Sequence, residues 1–126
     1  MDDLYREIIL EHYKHPLNFG FLPKPTHRHE GLNPMCGDQI IIELSISENK
    51  KGDRIIKDIR FQGVGCAISL ASASILTEEL KGKKIEYLKG FTKDAMVKLL
   101  GVSLTPARLK CALLALETAQ KAAGGE

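Results

Sequence analysis

Three cysteines and one aspartate are the residues of this 126-residue chain whose types best suit metal or sulfur chemistry. Cys36 and Asp38 lie two positions apart in NPMCGD, Cys66 follows the sequence GVG, and Cys111 lies in PARLKCALLALE. Three thiolates and one carboxylate match the four ligands of a tetrahedral zinc site. They also suit an iron–sulfur cluster, which usually takes four cysteines. An oxygen in place of the fourth sulfur is a weaker partner for such a cluster, which suits a site that must release its cargo.

The local context of each cysteine favours the thiolate form. Cys36 lies in a loop rich in proline and glycine, where glycine lets the backbone approach a bound ion closely. Cys66 stands at the N-terminus of a predicted helix, whose unpaired N–H groups lower the pKa of a thiol. Cys111 is flanked by Arg108 and Lys110, which favour thiolate and would offset part of the negative charge of a thiolate-bound metal.

The spacing of the cysteines does not decide between a shared site and separate burial. Successive cysteines are 30 and 45 positions apart, so the chain lacks a CxxC pair. Free cysteine is among the most buried residue types and often behaves as a small hydrophobic residue. That alternative stays open from the residues alone, above all for Cys111 on an apolar helix.

Composition limits the classes of function. The chain is 44% hydrophobic and 27% charged with a net charge of +2, which predicts a single soluble globular domain over residues 1–126 and no nucleic-acid partner. The first segment lacks the basic flank and apolar run of a signal peptide, and the sequence has no apolar stretch near the ~20 residues that span a bilayer. We therefore expect a cytoplasmic protein with no membrane partner, in which thiol chemistry or metal ligation is favoured over disulfides.

Hydrophobic periodicity and turn residues predict the elements that must position these side chains. We expect a first helix to about residue 14, a long loop over 16–38 with at most one short strand, and a hairpin of strands 40–46 and 54–62. Further helices are predicted at 66–80, 85–89, 92–100 and from Thr105-Pro106 onward. Ile55, Ile59 and Phe61 are expected on one face of the second strand. The fold class is α+β, with helices packed on one face of a small antiparallel sheet.

Four segments, LYREIILEHYKHPLNFG, NPMCGDQI, FQGVGCAISLASAS and PARLKCALLALE, resemble the U-type iron–sulfur assembly proteins, the IscU/SufU/NifU N-terminal family. They occur in the family's order and cover nearly the whole chain. The resemblance implies a three-stranded sheet and a site where Cys36, Cys66 and Cys111 converge beside Asp38 to hold zinc or a labile [2Fe-2S] cluster. It also implies that a cysteine desulfurase supplies sulfur as persulfide, and that apo iron–sulfur proteins or carriers receive the product.

Two departures leave the branch of the family open. The scaffold branch carries histidine immediately before the third cysteine, where this chain has Lys110. The segment PARLKC resembles the SufU branch of zinc-dependent sulfur acceptors. However, that branch usually has an insertion between the second and third cysteines, and this chain lacks it. The sequence is therefore compatible with both a cluster-building scaffold and a sulfurtransferase-type acceptor.

Within a sulfur-transfer mechanism, Cys36 is the predicted persulfide acceptor because a loop ligand can leave a metal more easily than a helix ligand. Cys111 is the rival acceptor in the scaffold interpretation, and Arg108 and Lys110 would stabilise thiolate or contact the desulfurase.

Two other functions compete. A binding module with a structural zinc would unfold on metal removal. A cysteine hydrolase using Cys66 and His12 would need the imidazole within hydrogen-bond reach of the thiol, whereas a packing role is expected for His12.

Overall fold

The computed structural model describes residues 3–34 and 37–124, so Cys36 lies outside the described residues. Along the chain the elements are α1 (Asp3–Lys14), β1 (His27–Asn33), β2 (Asp38–Glu48), β3 (Arg54–Val64), α2 (Ala67–Leu80), α3 (Ile85–Lys89), α4 (Lys93–Leu100) and α5 (Pro106–Gly124). The three strands form an antiparallel sheet in the order β1-β2-β3. The predicted α+β fold is confirmed. Among the described helices, none is both long enough and apolar enough to cross a membrane.

Strand β1 is a full seven-residue strand inside the segment that the sequence predicted as a long loop with at most one short strand. Its sequence, HRHEGLN, lacks the alternating hydrophobic residues by which a strand is usually recognised. Its place in the sheet comes from pairing with β2 and from close contact with α5. A Cβ atom at Gly31 would collide with Thr118 of α5, so glycine allows this helix to lie directly on the strand.

The inner face of the sheet forms the core under the helices. Ile42 of β2 and its partner Phe61 of β3 are fully buried. On β3 the structure buries Ile56 rather than the predicted Ile55. The cause is a register shift at which Lys57 is an extra residue in β3, because a β-bulge reverses the alternation of inward and outward side chains.

Helix α2 runs through the middle of the molecule and packs against α1, α4, α5 and β3. Many of its buried side chains are small, either alanine or serine, which lets neighbouring elements approach closely. Hydroxyl groups buried in this way need hydrogen-bond partners. Those of Ser69, Ser74 and Thr77 have such partners on other elements or on the helix backbone.

Candidate metal centre

Three separate elements bring a carboxylate and two thiols together. Asp38 is the first residue of β2, Cys66 immediately precedes α2, and Cys111 lies in the second turn of α5. Their ligand atoms all lie within 4.8 Å of one another. Bond lengths in a tetrahedral zinc site place neighbouring ligand atoms roughly 3.5–3.8 Å apart. The three side chains therefore need only a small closure to bind one ion.

Asp38 is only 1% exposed, and both oxygens of its buried carboxylate accept hydrogen bonds. Its Oδ1 accepts the backbone N–H of Cys66 at 2.9 Å, and its Oδ2 accepts the hydroxyl of Ser69 at 2.7 Å. Gly65 makes room for it, because a Cβ atom there would lie 3.0 Å from Asp38 Cγ and closer still to Oδ1. The glycine of GVGC thus has a direct steric role beside the site.

Cys66 is the N-cap residue of α2 and is half-buried. Burial raises the pKa of its thiol and is the largest single influence on it. Hydrogen bonds from Ser69, chiefly from its backbone N–H, and from Cys111 together outweigh burial and the negative charge of Asp38, so the pKa is lowered overall. The lowered pKa predicted for a cysteine at this helix start is confirmed.

Cys111 is fully buried, and its thiol donates to the carbonyl of Ala107 at 3.8 Å. Arg108 and Lys110, which flank it in sequence, are both exposed. Lys110 lines an open cavity of about 530 Å³ together with Leu32 at the end of β1. The functional roles assigned to these two cations from the sequence stay predictions.

Ser69 is a site residue that the sequence did not single out, because serine and alanine at the start of a helix are also typical of close helix packing. It is the third residue of α2, where helical side chains point back toward the N-terminus. A hydroxyl at this position after a cap cysteine was the available signal.

His12 does not pair with Cys66 but with Ser74, whose Oγ lies 2.8 Å from His12 Nδ1. Ser74 is eight residues beyond Cys66, or about 12 Å along a helix at 1.5 Å per residue. The expected packing role of His12 is confirmed, and the pairing on which a cysteine hydrolase would depend is not present among the described residues.

Comparison with known proteins identifies the family. Residues 4–125 match the NifU-like N terminal domain. The chain belongs to this family. The zinc-dependent sulfurtransferase SufU of Bacillus subtilis is 38% identical over 143 aligned positions, which cover all of this chain and 93% of that protein. The iron–sulfur cluster assembly scaffold IscU of Aquifex aeolicus is 36% identical over 114 positions, covering 90% of this chain and 70% of the other.

Solved structures agree with this membership of the NifU-like N-terminal family. A crystal structure from Fervidobacterium islandicum AW-1, described as an iron–sulfur cluster assembly scaffold protein for the SUF system, superposes with a TM-score of 0.74 at 28% identity. The match covers 93% of this chain and 94% of that one. The resemblance and the three-stranded fold expected from the sequence are confirmed.

Proposed function

We propose that this protein serves iron–sulfur cluster assembly by accepting sulfur from a cysteine desulfurase and carrying a labile [2Fe-2S] cluster or zinc. Cys36, Asp38, Cys66 and Cys111 are the proposed ligands. The observation that carries the proposal is the approach of Asp38, Cys66 and Cys111 to within 4.8 Å, from three elements distant in sequence. Relatives named as a scaffold and as a sulfurtransferase support it.

The residues present fit a thiophilic metal. Two sulfurs and a carboxylate oxygen face one another in a largely buried place, and a further sulfur from Cys36 would complete four ligands. Bound zinc would favour the deprotonated state of the thiols and hold the ligand-bearing elements together. An iron–sulfur cluster would be the cargo of the site, and the oxygen ligand Asp38 would favour its release.

Sulfur transfer is proposed to begin at Cys36. Its thiolate attacks the outer sulfur of the desulfurase persulfide, a new S–S bond forms, the old S–S bond breaks, and the desulfurase cysteine leaves as thiolate. In the sequence Cys36 precedes the first residue of β2 by two positions, whereas Cys111 is fully buried in α5. Attack through Cys111 would therefore need the site to open. Arg108 and Lys110 are proposed to contact the desulfurase, since both are exposed beside the third cysteine.

A zinc-dependent sulfurtransferase, rather than a cluster-building scaffold, is the second candidate. Lys110 before Cys111 and the match of the entire chain to SufU favour it. On the other side, the 143 aligned positions exceed the 126 residues of this chain, so SufU contains residues that this protein lacks. Both candidates pass sulfur or clusters to apo iron–sulfur proteins or carriers, and both are compatible with a single cytoplasmic domain over residues 1–126.

Anaerobic reconstitution with iron, cysteine, a cysteine desulfurase and a thiol reductant, which converts persulfide sulfur to sulfide, separates the two candidates. A scaffold gives the visible absorption of a [2Fe-2S] cluster that moves to an apo-ferredoxin. A sulfurtransferase retains zinc, stimulates the desulfurase and forms no cluster. If the protein neither binds metal nor accepts sulfur, the proposal fails.

The acceptor assignment is tested by comparing Cys36→Ser and Cys111→Ser in single-turnover persulfide transfer. Loss of transfer is expected for Cys36→Ser. If that variant accepts sulfur as well as the parent does, Cys36 is not the acceptor.

A further inference from the structure

The hydroxyl of Ser69 lies among three components of the candidate site. Its Oγ is 2.7 Å from Asp38 Oδ2, 3.3 Å from the carbonyl oxygen of Cys111, and 3.6 Å from Cys66 Sγ. Ser69 is fully buried, so water does not compete for these contacts. One hydroxyl thus links β2, α5 and the start of α2.

The proton of this hydroxyl has a preferred acceptor. A hydroxyl has one proton, and the carboxylate of Asp38 is both the nearest acceptor and the charged one. The other oxygen of Asp38 is held by the backbone N–H of Cys66. The N–H of Cys66 and the hydroxyl of Ser69 together hold the two oxygens in place, whereas without the hydroxyl Oδ2 keeps only the distant thiol of Cys66 at 4.0 Å.

We infer that Ser69 is a positioning residue for metal binding: its hydroxyl orients the carboxylate of Asp38 toward the two thiols. The inference rests on the proposed metal site and deepens it. Groups that hydrogen-bond to a metal ligand fix its orientation, and their removal typically lowers metal affinity about 10–100-fold. Ser69 would act through Asp38 and not by touching the ion.

The other buried serines of α2 show that the contact is specific to Ser69. Ser72 is also fully buried, but its Oγ has no hydrogen-bond partner within the described part of the chain. Ser74 bonds to His12 of α1. Ser72→Ala is therefore a matched control, since it removes the same atom from the same helix without touching Asp38.

The test is a zinc competition titration with a chromophoric chelator on the full chain. Ser69→Ala is expected to bind zinc about 10-fold more weakly, whereas Ser69→Thr and Ser72→Ala stay within about 2-fold of the parent. In the Asp38→Ala background, adding Ser69→Ala is expected to cause no further loss, because the residue it positions is gone. Cobalt substitution gives a second readout: in Ser69→Ala the ligand-field bands shift while the thiolate charge-transfer bands remain.

Two results would overturn the inference. One is a Ser69→Ala protein that binds zinc as tightly as the parent or more tightly, and the other is a loss of affinity that adds fully to that of Asp38→Ala. If Ser69→Ala does not fold, Ser69→Thr and Ser69→Val replace the comparison, because they have the same shape and differ in the hydroxyl. If the parent protein binds no zinc, the proposed metal site is wrong and the inference about Ser69 fails with it. By contrast, a parent that binds zinc but accepts no sulfur contradicts only the proposed sulfur transfer.

Discussion

The two ends of helix α2 use the same chemical group for different purposes. Near its start, the buried hydroxyl of Ser69 bonds to the carboxylate of Asp38. In its second half, Ser74 bonds to His12 and to the backbone N–H of Leu17, while Thr77 accepts from the side chain of Asn18. The first end contacts charged and thiol groups, and the second contacts groups of α1 and of the segment that follows it.

The two ends of α2 differ in whether their polar groups are already satisfied by partners within the protein. At the second end, donors and acceptors satisfy one another, so these contacts contribute to folding stability. At the first end, Asp38, Cys66 and Cys111 lie within 4.8 Å, and each would repel the others once ionised. A bound cation would remove that repulsion. We therefore expect substitutions at the first end to change metal affinity most and those at the second end to change stability most.

The largest effect is expected for Cys66→Ser. A serine hydroxyl replaces a thiolate ligand, so zinc affinity should fall by about 100-fold or more. Chelator competition measures the affinity, and urea unfolding of the metal-free protein is the control. Unchanged zinc affinity would mean that the start of α2 does not contribute a ligand.

The next effect is expected for Gly65→Ala. Its new methyl group would lie only 3.0 Å from Asp38 Cγ and would displace the carboxylate. We expect zinc affinity to fall about 10-fold, the loss typical of a misoriented ligand. Asp38→Ala removes the two closest atoms and leaves only the Cβ of residue 38, at 3.2 Å from the added methyl group, so Gly65→Ala should cause a clearly smaller loss of affinity in that background. A loss of equal size there would show that the steric conflict lies elsewhere.

A smaller and different effect is expected for His12→Ala at the second end of α2. Loss of the hydrogen bond to Ser74 should lower the free energy of unfolding by about 1 kcal/mol. Urea denaturation of the metal-free protein measures this loss. Zinc affinity should match that of the parent, and a fall of several-fold would break the separation between the two ends.

The smallest effect concerns Glu79, near the end of α2. The pKa of its carboxyl is lowered, chiefly by the hydrogen bond from the hydroxyl of Tyr87 at 2.6 Å. A lowered folded-state pKa adds stability above the ordinary glutamate range and loses it as pH falls through the folded value. Tyr87→Phe should raise the pKa of Glu79 toward its ordinary value, as measured by NMR titration. An unchanged pKa would show that this hydrogen bond is not formed in solution.

The sequence predicted the helices and the hairpin because their hydrophobic residues recur with clear periods. It did not predict β1 as a full strand, since HRHEGLN has no such period and its pairing depends on β2 and α5. The sequence also did not predict that Ile56, rather than Ile55, lies in the core. This depends on the β-bulge at Lys57, which arises only when β2 and β3 pair.

At the candidate site, the residue types indicated Asp38 and Cys66, and the start of α2 indicated the lowered thiol pKa. The part played by Ser69 could not be read from the sequence in the same way. Its neighbours Ser72 and Ser74 have the same residue type and are equally buried; the sequence separates Ser69 from them only by its position after the cap cysteine, and the contact with Asp38 is seen only in the fold.

X-ray absorption spectroscopy at the zinc edge of the loaded protein tests the central claim most directly. A site formed by Cys36, Asp38, Cys66 and Cys111 predicts three sulfur neighbours near ~2.3 Å and one oxygen neighbour near ~2.0–2.2 Å. In Cys66→Ser loaded at high zinc, the sulfur count should fall to two. A first shell dominated by nitrogen and oxygen, or a sulfur count unchanged by Cys66→Ser, would contradict the account.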